Sequence, residues 1–189
     1  MFGIVQGGDD LTLRVESAER TAALDFDGYG IGGLSVGEPR ERMLPALAAA
    51  LSRLPADRAH YLMGVGDPVS VVEAVALGVD MFDCVLPTRL ARHGAALTSA
   101  GRLQVRGAAL LADDGPVDPE CGCQVCRRYA RAYLRHLFAV GEPTAARLLT
   151  LHNLTWMMAL MAAIRSAVVD GRLGALQREV KGVWARGGS

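Results

Sequence analysis

The sequence lacks several features that define whole classes of protein. Its longest strictly apolar stretches, such as residues 157–164, are far shorter than the roughly 20 residues that a membrane-spanning helix needs. The first six residues carry no basic segment and no cleavage-like site, so no secretory signal is expected. The chain also contains no low-complexity segment. We therefore expect a soluble protein of the cytoplasm, with no membrane contact.

The sequence has no net charge, although its charges are unevenly distributed. The 189 residues include 20 basic and 20 acidic side chains. Residues 1–83 carry a net charge of −7, residues 84–136 a net charge of +4 and residues 137–189 a net charge of +3. The basic part would suit contact with a polyanion. On charge alone, an ordinary arginine-rich surface is the more common explanation.

The first 87 residues alternate short apolar runs with helical patterns. Strands are predicted at residues 2–5, 29–38, 60–65 and 79–86, the last one ending at Pro87. Helices are predicted at residues 11–24, 40–54 and 68–77. This rhythm predicts an α/β fold with a parallel sheet. Four such units amount to half of an eight-stranded (β/α)8 barrel, which we expect to be unstable alone because both sheet edges are open.

Residues suited to binding or chemistry fall near the C-terminal ends of these predicted strands. They are Gln6, Gly32, Gly33, Met63 and Asp83. In parallel α/β folds, and in barrels especially, active sites are built at that end of the strands. Without further context, a helix cap or a turn explains Asp83 equally well.

The pattern changes after Pro87. Residues 95–98 and 103–105 flank a Ser-Ala-Gly turn and predict a β-hairpin. Helices are predicted at residues 127–137, 145–169 and 173–184. The sequence therefore predicts a division into residues 1–87, which form the βα units, and residues 88–189, which hold the clustered cysteines and the C-terminal helices.

Three of the four cysteines are clustered. Cys121, Cys123 and Cys126 lie within a segment of six residues, and His152 follows 26 residues after the last of them. Without an export signal, this spacing favours a metal site over disulfides. Cys₃His is a standard structural set for zinc, so one structural Zn²⁺ is predicted; buried, unliganded cysteines are the less common alternative. Three other histidines compete for the fourth position: His60, His93 and His136.

Several motifs together resemble one enzyme family. They are VQGG at residues 5–8, GIGGLSVGE at residues 30–38, YLMGVG at residues 61–66 and MFDCVLPTR at residues 81–89. The Cys-x-Cys-x-x-Cys cluster and a distant His-Asn pair follow. Over nearly its whole length, and in the right order, the chain resembles the C-terminal half of the bacterial, queuosine-type tRNA-guanine transglycosylases.

The resemblance implies a fold and a reaction. The family is a (β/α)8 TIM barrel with a zinc-bearing insertion near its C-terminal end, and its members are typically homodimers. It exchanges guanine at the wobble position of the tRNA anticodon loop for a 7-deazaguanine precursor of queuosine. The resemblance implies that Asp83 is the nucleophile, which attacks the anomeric carbon of the ribose and holds the tRNA covalently. It also assigns the zinc to Cys121, Cys123, Cys126 and His152.

The resemblance further implies which residues bind the base. Gln6 and the backbone of Gly32, Gly33 and Leu34 would read its edge, because glycine lets the main chain approach a flat ligand closely. Met63, together with Tyr61, would pack on its face, unless the two are ordinary core residues.

Contacts with the RNA and the choice of base are implied in the same way. Arg89 and Arg92 match positions that contact the RNA near the exchanged base; as an alternative, each is simply a solvated arginine. Val36 stands where bacterial members carry valine, which favours the smaller aminomethyl-deazaguanine over queuine itself.

The sequence departs from the family in two respects. Members are roughly twice as long, and the part without a counterpart here holds an Asp-Ser-Gly-Gly-Phe-Gln-like segment with the general acid/base, and a second aspartate that recognises the base. Leu90 also replaces the usual asparagine of an Asn-Ala-Arg segment. A second hypothesis is therefore a truncated, non-catalytic module for RNA binding or dimerisation.

Overall fold

The computed structural model describes residues 1–34 and 40–184. Residues 35–38 of the GIGGLSVGE motif, and with them the prediction for Val36, lie outside the described residues. The chain divides into two compact units, Met1–Cys84 (unit 1) and Val85–Ser189 (unit 2). The functional division after residue 87 stays a prediction.

Unit 1 alternates strands and helices along the chain. The order is β1 (Phe2–Val5), α1 (Leu11–Ala22), β2 (Gly28–Ile31), α2 (Arg40–Leu51), β3 (Ala59–Leu62), α3 (Pro68–Ala76) and β4 (Met81–Phe82). The strands form one sheet in the order β1-β2-β3-β4, and each neighbouring pair is parallel. The predicted α/β class with a parallel sheet is confirmed.

Buried apolar side chains hold this sheet against its helices. Val5, Ile31 and Leu62 lie on three neighbouring strands and are fully buried, and α2 adds Ala46 and Leu47 to the same core. Each larger aliphatic side chain buried in this way contributes roughly 1.5–3 kcal/mol to folding. The packing of the parallel sheet against its helices therefore forms the hydrophobic core of unit 1.

Two helices of unit 1 begin at aspartate caps. The Asp10 carboxylate accepts the N–H groups of Thr12 and Leu13 at the start of α1, and the Asp67 carboxylate accepts that of Ser70 at the start of α3. Such caps satisfy N–H groups that have no partner inside the helix. Each helix therefore begins a few residues after a strand ends.

The strand predicted over residues 79–86 is wrong in its extent. Strand β4 covers only Met81–Phe82, and helix α4 (Leu86–Arg92) begins inside the predicted strand. Pro87 lies in the first turn of α4, where its missing N–H costs nothing because that group would have no helical partner. The proline therefore starts a helix rather than ending a strand.

Unit 2 combines a hairpin with helices. After α4 come β5 (Ala95–Thr98), β6 (Gly101–Gln104), a 3-10 turn (Ala108–Leu110), α5 (Gln124–Arg128), α6 (Arg131–Ala139), α7 (Thr144–Val169) and α8 (Leu173–Trp184). Strands β5 and β6 are antiparallel, which confirms the predicted hairpin. Val117, Leu134 and Leu149 lie in its buried core. Among the helices in the described ranges, none is long and apolar enough to cross a membrane.

The single helix predicted over residues 127–137 is interrupted. Tyr129 and Ala130 are extended, with ψ angles of 131° and 156°, and separate α5 from α6. The N–H of Arg131, at the start of α6, donates to the carbonyl of Gly115 over 2.8 Å. The long loop before α5 thus binds the start of α6, a tertiary contact that the helical periodicity of the sequence does not reveal.

Candidate active site and candidate metal site

The register of the parallel sheet aligns the ends of its four strands. Val5 pairs with Ile31, Ile31 with Leu62 and Leu62 with Phe82. The next residues of these strands are Gln6, Gly32, Met63 and Asp83. They therefore lie at the carboxyl edge of the sheet, where parallel α/β proteins bind their ligands.

Two hydrogen bonds hold the carboxylate of Asp83. The Tyr61 hydroxyl donates to Asp83 Oδ1 over 2.7 Å, and the Gly64 N–H donates to the same oxygen over 2.9 Å. Tyr61 lies on β3, and Gly64 follows β3 with a φ of +78°, a conformation that favours glycine. The neighbouring strand therefore positions the carboxylate that follows β4.

These hydrogen bonds also favour the ionised form of Asp83. The Tyr61 hydroxyl, and after it the Gly64 N–H, hold the pKa of Asp83 below its usual range, because both donate to the charged form. The same bond raises the pKa of Tyr61, so the tyrosine keeps the proton that it donates. An aspartate ionised at neutral pH can act as a nucleophile or stabilise a positive charge.

The side-chain amide of Gln6 lies against the glycines that follow β2. A Cβ at Gly32 would be 2.5 Å from Gln6 Nε2, and a Cβ at Gly33 would be 2.5 Å from Gln6 Oε1. Gly33 also has a φ of +65°. While Gln6 holds this position, both residues must be glycine. The structure thus brings together three of the residues expected to bind a base, namely Gln6, Gly32 and Gly33, which we call the Gln6 group.

The remaining candidates have other surroundings. The Met63 Sδ is 3.6 Å from where a Cβ at Gly30 would be, so the thioether lies over β2. The side chain of Leu34 is 3 % exposed and belongs to the core of unit 1, which leaves only its backbone for binding. Arg89 and Arg92 lie in the last turn of α4 in unit 2, and both are exposed.

Sequence analysis does not single out Arg14 of α1, which is fully buried beside the Gln6 group. Its Nε donates to the Gly8 carbonyl over 2.7 Å, its Nη1 to the Gly32 carbonyl over 2.8 Å and its Nη2 to the Gly33 carbonyl over 3.1 Å. The one available signal was its position four residues before Ala18, on the buried face of α1. Periodicity places a residue on a face, but it does not show which backbone groups that residue reaches.

The four predicted metal ligands of unit 2 converge. The ligand atoms of Cys121, Cys123, Cys126 and His152 all lie within 4.8 Å of one another. His152 Nδ1 is 3.5 Å from Cys123 Sγ and 3.3 Å from Cys126 Sγ. Three thiols and one imidazole suit a tetrahedral ion of borderline softness. The predicted set of four residues is confirmed as a candidate metal site.

Neighbouring elements orient two of these ligands. Cys123 caps the start of α5, and its sulfur accepts the N–H of Cys126 over 3.4 Å. His152 projects from α7, and its Nε2 is 2.8 Å from the carbonyl of Leu97 on β5. If Nε2 carries the proton for that bond, Nδ1 presents a lone pair to the sulfurs, as in metal-binding histidines.

Burial controls the protonation of these ligands. It raises the pKa of Cys121 and raises that of Cys126 to about 12, and it lowers the pKa of His152. Without a cation, the two thiols therefore keep their protons, whereas the imidazole is neutral and ready to bind. A metal ion entering the site has to displace thiol protons.

Asn153 follows His152 on α7 and also binds the backbone of strand β5. Its Oδ1 accepts the N–H of Leu97 over 2.9 Å, and its Nδ2 donates to the carbonyls of Pro87 and Ala95 over 3.0 Å each. Asn153 thus binds the N–H of Leu97, and His152 binds the carbonyl. The two side chains together align α7 with β5 and with the start of α4.

Comparison with known proteins identifies the family. The family model described as queuine tRNA-ribosyltransferase matches residues 1–186. Relatives of that name include those of Moorella thermoacetica (53 % identical over 92 % of this chain and 46 % of the relative) and Koribacter versatilis (51 %, 90 % and 44 %). The relative from Caldanaerobacter subterraneus is 54 % identical over 92 % of this chain and 46 % of its own length. The chain belongs to the queuine tRNA-ribosyltransferase family.

This result confirms the family that the sequence motifs resemble. The chain spans about half the length of the curated relatives that it matches, in agreement with the prediction of a half-length counterpart.

Proposed function

We propose that this chain is the part of a tRNA-guanine transglycosylase that contributes the nucleophile, part of the base pocket and a structural zinc site. Such a pentosyltransferase replaces guanine at the wobble position of tRNA by a 7-deazaguanine precursor of queuosine. The proposal rests on the ionised Asp83 carboxylate, which Tyr61 and Gly64 fix at the same sheet edge as Gln6. Membership of the queuine tRNA-ribosyltransferase family supports it.

Asp83 carries the covalent step. Its Oδ1 accepts both hydrogen bonds, so Oδ2 is the oxygen that forms a bond to C1′ of the ribose. The bond between C1′ and N9 of guanine breaks, and its electron pair leaves with the base. That base takes its proton from the general acid that the family resemblance assigns to the other half of the enzyme. The incoming base, after losing its N9 proton, attacks C1′ and releases Asp83, so two inversions retain the configuration.

The Gln6 group binds the base. The Gln6 amide offers both a donor and an acceptor, and the backbone of Gly32, Gly33 and Leu34 adds groups that lie close to the ligand because no side chain intervenes. Met63 packs on the face of the base. The base itself is a deazaguanine, and Val36 selects the smaller aminomethyl precursor over queuine.

Arg89 and Arg92 bind the RNA. Both side chains are exposed in the last turn of α4, and a planar guanidinium suits contact with phosphate oxygens. The net charge of +4 over residues 84–136 would attract the tRNA anticodon loop. The wobble nucleotide has to leave its stack to reach Asp83.

The Cys₃His site holds one structural Zn²⁺. Three thiolates and the neutral His152 would complete a tetrahedron and leave no open position for substrate. The ion would fix the loop before α5 to α7 and strand β5, through the contact of His152 with Leu97. The zinc therefore stabilises unit 2 and takes no part in the chemistry.

In the complete enzyme the sheet of unit 1 becomes part of a closed (β/α)8 barrel. Among the described strands, β1 pairs only with β2, and its side chains Phe2 and Ile4 are 40 % and 52 % exposed. The free edge of β1 therefore accepts a further strand, and the exposed Phe2 and Ile4 lie on the sheet face opposite buried Val5, which a closed barrel would cover. The assembled enzyme is a homodimer of the cytoplasm, where its tRNA substrate is found.

Incorporation of radiolabelled guanine into tRNA tests this function. The chain is assayed alone and together with the N-terminal half of the Moorella thermoacetica relative, supplied as a separate polypeptide. We expect incorporation in the second mixture, loss of it with Asp83→Asn and retention with Asp57→Asn, an exposed aspartate before β3.

The alternative is a non-catalytic module for RNA binding or dimerisation. If folded chain gave no incorporation in either mixture but still bound tRNA or formed dimers, this second function would replace the first. Gel-shift titration and analytical ultracentrifugation of the same samples measure the two properties.

A further inference from the structure

We propose that Arg14 is a positioning residue that presents the backbone N–H groups of Gly33 and Leu34 to the base. This inference rests on the proposed function, because it concerns how the same pocket recognises its ligand. Arg14 lies on α1 and would not touch the base, the sugar or the Asp83 carboxylate.

The guanidinium of Arg14 binds the backbone on both sides of the pocket. One side is the turn after β1, through the Gly8 carbonyl at 2.7 Å; the other is the turn after β2, through the carbonyls of Gly32 and Gly33 at 2.8 and 3.1 Å. Arg14 is 0 % exposed. A buried guanidinium is costly unless its N–H groups are bound, so these carbonyls are held firmly in place.

The orientation of these carbonyls determines where the adjoining N–H groups point. The Gly32 carbonyl belongs to the same peptide group as the Gly33 N–H, and the Gly33 carbonyl to the same one as the Leu34 N–H. In a trans peptide the C=O and N–H point in opposite directions. Binding both carbonyls to Arg14 therefore turns both N–H groups away from α1.

The proposed role of these two N–H groups is to bind the ligand. Within residues 1–34 and 40–184, neither donates a hydrogen bond to a protein acceptor. The Gln6 amide lies against the same two glycines, so side-chain and backbone groups converge on one location. An acceptor on the edge of a purine-like base would fit these donors.

The planar fork of arginine is what this arrangement requires. Two N–H groups in a rigid plane can bind the adjacent Gly32 and Gly33 carbonyls while Nε binds Gly8. A lysine keeps the charge but offers a single nitrogen, which cannot hold three separate carbonyls in the same geometry. Arg14→Lys is therefore the informative variant.

The matched control is Arg20→Lys. Arg20 lies on the same helix, is 79 % exposed and pairs with Glu16. Hydrogen exchange followed by mass spectrometry on the chain itself should show faster exchange of the Gly32 N–H, which donates to the Val5 carbonyl over 3.0 Å, in Arg14→Lys. The increase should be at least about ten-fold, and Arg20→Lys should show none. Equal rates of hydrogen exchange in the wild type and Arg14→Lys would overturn the proposal, whether or not the chain catalyses base exchange in tRNA.

A kinetic measurement separates positioning from general destabilisation. With the N-terminal half supplied, Arg14→Lys should raise the KM for guanine by roughly ten-fold and change kcat by less than about three-fold, because only base binding depends on the two N–H groups. A drop in kcat at unchanged KM would contradict the proposal. If the wild type exchanged no guanine into tRNA, that result would count against the proposed function. The hydrogen-exchange measurement would then test the role of Arg14 by itself.

If Arg14→Lys does not fold, the hydrogen bonds of Arg14 can be tested in the wild-type chain. NMR couplings across hydrogen bonds, measured with labelled arginine nitrogen and glycine carbonyl carbon, should connect Arg14 with Gly32. Their absence in spectra that resolve both groups would overturn the proposal.

Discussion

Asp83 shows how neighbouring groups fix the orientation of a single carboxylate, for which we propose the role of nucleophile. A free aspartate on a loop is ionised at neutral pH, but its orientation is not fixed. Here Tyr61 and Gly64 bind one oxygen, which orients the group; in the proposed reaction the other oxygen attacks the sugar. The family resemblance assigned Tyr61 to the base face, whereas its hydroxyl contacts the Asp83 carboxylate.

Tyr61→Phe tests this role of the tyrosine. The hydroxyl is the largest cause of the lowered pKa of Asp83, so the variant should raise that pKa towards its ordinary range. Because the reaction needs the carboxylate, activity in the wild type is present above the lowered pKa and is lost as the pH falls through it. In the variant, we expect the loss to begin at a higher pH.

The measurement is the pH dependence of kcat/KM for guanine exchange, with the N-terminal half supplied. Wild-type and Tyr61→Phe activities should converge at neutral pH and separate at acidic pH. If kcat/KM fell at the same acidic pH in both proteins, the Tyr61 hydroxyl would not determine the pKa of Asp83.

At the scale of elements, two devices position the sites. In unit 1 the register of the parallel strands brings four strand ends to one edge. In unit 2 a single turn of α7 carries His152 and Asn153, which bind the carbonyl and the N–H of Leu97. The backbone of β5 and the candidate metal site are thereby coupled through adjacent side chains.

Asn153→Ala should reveal the strength of this coupling. The variant leaves the N–H of Leu97 and the carbonyls of Pro87 and Ala95 buried without their partner, which should cost about 3 kcal/mol in the free energy of unfolding. Thr155→Ala, an exposed change on the same helix, should stay within about 0.5 kcal/mol. Urea denaturation measures both, and equal values for the two variants would refute the role given to Asn153.

Zinc binding should depend on pH in a defined direction. Burial raises the pKa of Cys121 and Cys126, so both thiols lose protons when the ion binds, and the affinity should fall as the pH falls. Calorimetric titration with Zn²⁺ in buffers of different ionisation enthalpy measures the protons released. Cys84→Ser, which alters the one cysteine outside the cluster, should release the same number; pH-independent affinity would contradict this account.

The sequence predicts secondary structure and site residues best where a short local pattern is enough to determine them. The βα rhythm predicts where the first three strands and their helices lie, although β2 ends at Ile31 and residues 32–34 of the strand predicted over residues 29–38 lie outside it. The cysteine spacing predicts the three thiol ligands, because both patterns depend on short segments, whereas the choice of His152 among four histidines came from the family resemblance. The boundary around Pro87 and the break at Tyr129 depend on context: a proline can end a strand or start a helix, and the break is accompanied by a contact with Gly115. The carbonyl contacts of Arg14 are likewise tertiary and have no local signal.

At the scale of the whole molecule, the chain combines two units for which we propose different roles. Unit 1 supplies the strand ends that hold Asp83 and the Gln6 group, and unit 2 supplies the metal ligands and the exposed arginines of α4. The acidic and basic excesses of the sequence follow this division. Because the chain spans about half the length of its relatives, the reaction we propose needs groups supplied by another polypeptide segment.

The most direct test of the account is to map the covalent bond to the RNA. The chain and the supplied N-terminal half are mixed with a tRNA anticodon stem-loop, quenched in denaturant during turnover and digested for mass spectrometry. We predict a ribose adduct on the peptide that contains Asp83, and no adduct with Asp83→Asn, whose exchange should fall by at least about a thousand-fold. An adduct on a different residue, or full exchange by Asp83→Asn, would contradict the central claim.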